Sequence, residues 1–93
     1  MIKNLALAKQ ALIDQVKIVA NHHDFLTKIK SIDAKVIDGK LYWGLGRNPG
    51  YVVIDTVENK VYRVFELTEA LSDNSLCSPE MALLVLYDIQ DFI

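Results

Sequence analysis

The side chains with the most evident chemical potential are His22, His23 and Cys77. His22-His23-Asp24 combines two imidazoles with a carboxylate, donor types that suit zinc and similar ions. Adjacent residues at a helix end point in different directions, there is no third histidine, and Cys77 is the single cysteine. The tract reads better as the polar end of a helix, where a protonated histidine is favoured by the dipole. Cys77 directly precedes Ser78-Pro79, a helix start, and helix N-termini can activate a thiol. Nucleophilic catalysis would also need a base, and only the two histidines offer one. The simpler expectation is a small apolar anchor beside Leu76.

Other groupings are equally short of a defined chemistry. Gly44-Leu-Gly-Arg-Asn-Pro-Gly50 has the composition of a phosphate-cradling loop but leads into a strand rather than a helix, and lacks Gly-Lys-Ser/Thr. It is expected to be an inter-hairpin turn with Arg47 at its tip, available to a partner. Asp33, Asp38, Asp55 and Glu66 could supply an acid–base pair. Asp38 belongs to a turn, Asp55 is suited to cap another, and no pattern places two of the four in one cleft. Tyr42, Trp43, Tyr51, Tyr62 and Phe65 fall in strand-like sequence, where a core role is expected ahead of base stacking. No catalytic, metal-ligating or cofactor-binding residue is expected, and the chain is not expected to be an enzyme.

The elements that would position these residues are more legible. Residues 33–67 read as two consecutive hairpins. In the first, Asp38-Gly39 supplies the positive φ angles of a two-residue turn. That turn sets Val36 opposite Leu41 and Ala34 opposite Trp43, so Ala34, Val36, Leu41, Trp43 and Leu45 share an expected core face. Lys35, Ile37, Lys40 and Tyr42 point the other way. Tyr51-Val-Val-Ile54 is apolar on both faces and predicts a central or doubly covered strand. Val61, Phe65 and Leu67 alternate with Tyr62, Val64 and Glu66, Arg63 interrupts the apolar side, and the register of this second hairpin is open.

Helical sequence flanks the sheet. Over residues 3–20, Leu5, Ala8, Leu12, Val16 and Val19 form one stripe, and Leu7, Ala11 and Ile18 a second. The second stripe is expected to pack on another helix of the chain, with a second subunit as the alternative. Asn21 to Asp24 predicts a break or bend. Thr68-Glu-Ala-Leu71 could form a helical turn, with Leu71 and Leu76 as anchors. Ser78-Pro79-Glu80 combines an N-cap, a proline at the first position and an early acid. The helix it opens carries Met81, Val85, Ile89 and Phe92 as its main stripe, with Leu83 and Leu84 outside it. The expected fold is a single α+β domain over 1–93: a helix, a four-stranded antiparallel sheet of two hairpins, and a C-terminal helix, both helices on one face. Trp43, Val36, Leu41, Leu12, Val16, Val85 and Ile89 are the expected core.

Charge gives the remaining functional lead. The net charge is −2. Residues 1–47 hold eight basic and four acidic side chains, +4; residues 48–93 hold two and eight, −6. The acidic excess argues against a protein whose main task is binding nucleic-acid backbone. No apolar run approaches the roughly 18 residues of a membrane span, and one unpaired cysteine suits a reducing, cytoplasmic setting. The leading expectation is a small cytoplasmic protein-binding module of inhibitor, immunity or phage and mobile-element accessory type, meeting its partner through an acidic surface. Asp73, Glu80, Asp88 and Asp91, with Arg47, are its candidate contacts, and a homodimer is expected. The alternatives are a nucleic-acid-associated regulator using the basic first half, and a small enzyme with an unrecognised site.

Overall fold

The computed structural model describes residues 5–19, 34–46 and 49–91. The expected break near 21–24, and with it His22, His23 and Asp24, lies outside them, as do Arg47 and Phe92. The described chain is α+β. Helix α1 spans Leu5–Val19, strands β1 to β4 span Ala34–Ile37, Lys40–Gly44, Tyr51–Asp55 and Lys60–Val64, and helix α2 spans Pro79–Gln90. The sheet is antiparallel with order β1-β2-β3-β4.

Local chemistry explains each turn. Asp38 and Gly39 have φ of 52° and 76°, a two-residue turn that fixes Val36 opposite Leu41 and Ala34 opposite Trp43, as expected. The second hairpin closes at Asp55 opposite Lys60. There Asp55 Oδ1 accepts from the N–H groups of Val57 at 3.0 Å and Glu58 at 3.1 Å, and Asn59 takes the left-handed position at φ 56°. Asp55 thus holds the turn it was expected to cap. At α2, the Ser78 hydroxyl accepts from Met81 N–H at 3.4 Å with Pro79 in the first turn.

The period-two alternation of the strands divides the interior into two cores. Leu41, Trp43, Val52, Ile54 and Val61 face α1 and α2 and pack with Leu12, Ile13, Val16, Cys77, Ala82, Val85 and Ile89. Both helices therefore share one face of the sheet. Tyr42, Val53, Tyr62 and Val64 form a second core on the opposite face, joined by Ile37, Tyr51, Leu67 and Leu71. β3 is covered on both faces, and Val52, Val53 and Ile54 are fully buried.

Five expectations change. Val36 sits in the expected register but is 53% exposed, because β1 is the edge strand remote from the helices, which lie over β3 and β4. The chain leaves the strand after Val64, so Phe65 is exposed and Leu67 joins the far-side core. Thr68 to Leu71 is not helical; a one-turn 3-10 segment forms instead at Asp73–Ser75. Leu76, bridged to Tyr62, is exposed, and its neighbour Cys77 is the anchor: its N–H donates to Val61 O at 2.9 Å. The second α1 stripe is not buried within the chain either, since Leu7, Ala11 and Ile18 all face solvent while Ile13, outside both stripes, is fully buried.

Candidate functional site

A helix turns about 100° per residue, so the burial of Ala82, Val85 and Ile89 fixes which side of α2 faces out. Glu80, Leu84, Tyr87, Asp88 and Asp91 fall within roughly 100° of arc on that outer side. Leu84 is 52% exposed and Tyr87 60%. Three carboxylates therefore frame two large apolar side chains along one helix. Among the described residues, no ion pair or side-chain hydrogen bond engages Glu80, Asp88 or Asp91. Asp88 and Asp91 also sit where the helix dipole opposes a negative charge, and the last turn carries no basic residue. That placement costs stability, roughly 0.3–1 kcal/mol per acid.

The remaining acids of the second half are placed elsewhere. Asp55 is buried in its turn. Asp73 pairs with Lys60 Nζ at 3.3 Å, and this hydrogen bond raises the Lys60 pKa above its ordinary value. Glu69 accepts from Phe65 N–H at 3.1 Å. Of the expected contacts, then, Glu80, Asp88 and Asp91 share one helix face, Asp73 is held by a lysine, and Arg47 lies outside the described residues. The sequence reading missed Tyr87, whose place about 60° from Leu84 and 40° from Asp91 on the helical wheel was the available signal.

A second polar cluster is structural. Arg63 lies on the helix side of β4 and accounts for the break in that strand's apolar pattern. Its Nη1 donates to Val64 O at 2.8 Å, its Nη2 donates to Pro49 O, and the guanidinium stands 4.5 Å over the Phe65 ring. Gly50 makes the approach of the loop feasible: at φ +90°, a Cβ there would run into Val64 O and lie 2.8 Å from Phe65 Cα. The Pro49 contact ties the loop to β4, and the Val64 and Phe65 contacts hold the guanidinium in place to make it.

Cys77 is the chemically reactive type nearest the helix start. Its thiol is buried, donates to Ser78 O at 3.4 Å, and is pushed up to about 11 by burial, against the opposing influence of Lys9 and Arg63. At neutral pH it is a thiol in the core, not a thiolate. Among the described residues no group of three His, Cys, Asp or Glu side chains could hold a metal ion, and no helix is long and apolar enough to cross a membrane. No family model, curated protein or solved structure matches the chain, so its function has to be argued from these residues alone.

Proposed function

We propose that this chain is a protein-binding module whose docking surface is the outer side of the helical layer, centred on α2. The observation that carries this reading is the exposure of Leu84 and Tyr87 between Glu80, Asp88 and Asp91. Tyr and Leu supply contact area at the centre of an interface, while carboxylates at its rim steer association and select the sign of the partner. The complementary surface has an apolar centre and a basic rim. A basic active site is one such surface, which suits a small inhibitor or accessory protein of the cytoplasm.

The test is affinity capture with cross-linking from the source cell, comparing wild type with Leu84→Asp and with the double variant Asp88→Lys, Asp91→Lys. All three positions are exposed, so Leu84→Asp should melt near wild type, and the double variant should melt at or above it, since lysine suits the helix C-terminus where Asp88 and Asp91 do not. Recovery of the partner should fall by at least about tenfold in both variants, the loss of roughly 1.4 kcal/mol. Equal recovery by all three proteins would place the docking surface elsewhere.

A further inference from the structure

The two ends of the α2 face are not equivalent. Glu80 lies in the first turn, where the helix dipole favours an acid. Asp88 and Asp91 lie at the other end, where the dipole opposes them, and no lysine, arginine or histidine occurs anywhere in Pro79–Gln90. Each stands one helical turn after an exposed apolar side chain: Leu84 precedes Asp88 and Tyr87 precedes Asp91, both at i, i+4. Such pairs are neighbours on a helix surface, with Cβ atoms about 5–6 Å apart. Helical side chains lean toward the N-terminus, so each carboxylate tips toward its apolar neighbour. Among the described residues, no ring or cation–π contact engages Tyr87, and no ion pair engages either carboxylate.

We propose that Tyr87, Asp88 and Asp91 form a recognition site for an arginine side chain of a partner protein, presented on an amphipathic segment whose apolar residue lies on Leu84. The proposal rests on the reading that this face docks a protein, and it names what the partner presents. The chemistry of the three residues fits arginine. A guanidinium is flat, stacks on an aromatic face and carries N–H donors along its edges, so it can lie on Tyr87 while donating to Asp91. Asp88, three residues before Asp91 and beside it on the helix surface, accepts from a further donor. A lysine ammonium would meet a carboxylate as a point charge and gain less from the ring.

Charge narrows the partner further. Glu80, Asp88, Asp91 and the negative end of α2 repel phosphate groups, so neither a nucleic acid nor an anionic lipid surface suits this face. The two C-terminal acids also carry a cost that a cation removes. In the free protein Asp88 and Asp91 oppose the dipole; a guanidinium bound at the same helix end is favoured by it. The partner therefore relieves a cost that the free chain bears. Residues that break a local rule without compensation nearby are expected where function requires them.

Titration of the full chain followed by NMR tests this. The probe is a synthetic amphipathic peptide of about 15 residues, long enough to form a helix, with leucine and arginine on one face. Control peptides carry lysine or glutamate in place of every arginine. The arginine peptide should bind with shifts centred on Leu84 to Asp91, and the glutamate peptide should not bind. The lysine peptide should bind at least about threefold more weakly than the arginine peptide. The double variant Asp88→Asn, Asp91→Asn should lose at least about tenfold in affinity for the arginine peptide. It should melt at or above wild type, since the clash with the dipole is gone. Tyr87→Leu keeps an apolar surface and removes the ring, so it should bind the arginine and lysine peptides equally well. Wild type that fails to bind the arginine peptide at about 1 mM, or that binds the lysine peptide as tightly, overturns the proposal. A double variant that binds as wild type does also overturns it. In the capture experiment, a partner lost by Leu84→Asp but kept by Asp88→Asn, Asp91→Asn would leave the docking face in place and remove arginine as its ligand. A partner kept by both would remove the docking face itself.

Discussion

Individual side chains carry their chemistry only as far as their surroundings allow, and Cys77 is the clearest example. It looks reactive by position, directly before a helix N-cap, yet the core desolvates it. Its pKa of about 11 lies above the ordinary 9.0. The folded state therefore holds the proton more tightly than the unfolded chain. The resulting stability is fully present below pH 9.0 and is lost as pH rises through about 11. The loss should be on the order of 2 kcal/mol. The measurement is the difference in denaturant stability between wild type and Cys77→Ala from pH 8 to 11, which isolates the thiol. A gap that stays constant across that range would show that the thiol does not titrate in this way. Asp55 makes the converse point: a carboxylate that could have been catalytic is consumed by two backbone N–H groups of its own turn.

Elements are joined here by a few specific contacts rather than by propensity alone. The β2–β3 loop is docked onto β4 by the Arg63 guanidinium, and the docking depends on Gly50. Its positive φ is costly for any L side chain, and a Cβ would meet backbone that cannot yield. Gly50→Ala should therefore destabilise the fold by roughly 2 kcal/mol or more, through strain and loss of the Arg63 contacts together. Urea denaturation reads this directly. A change below about 0.5 kcal/mol would mean the loop can move away from β4 without penalty. Gly39 tolerates no such test of packing, since nothing lies within 4 Å of a Cβ there and only its φ matters.

For the molecule as a whole, what matters is that the sheet has two cores and an edge strand, β1, remote from the helices. Val36 and Val53 are the same residue type, both in strands, but Val53 is fully buried beneath the 65–71 segment and Val36 is half exposed on β1. Val53→Ala should cost roughly 2 kcal/mol, from lost burial plus the cavity left in a doubly covered strand. Val36→Ala should stay within about 0.5 kcal/mol. Equal losses at the two sites would mean that something covers β1 in solution. The helical layer, by contrast, leaves Leu84 and Tyr87 outside both cores, and that surplus is what the docking proposal addresses.

Short-range chemistry made much of this fold legible in the sequence. The Asp38-Gly39 turn specified a register, and the doubly apolar Tyr51-Val-Val-Ile54 run specified a central strand. Ser78-Pro79 specified a helix start, because each depends on residues only a few positions apart. Glu80, Asp88 and Asp91 were legible as acids, and helical spacing places them with Leu84 and Tyr87 on one face. The main stripe of α2 was legible too, and Val85 and Ile89 are buried as it implied. Whether the second stripe of α1 is covered, and that Val36 is exposed while Tyr42 is buried, were decided only by tertiary structure. Alternation says which residues share a side of a strand or helix. It does not say what lies against that side, because coverage is set by elements distant in sequence: α1 and α2 over β3 and β4, and the 65–71 segment beneath them.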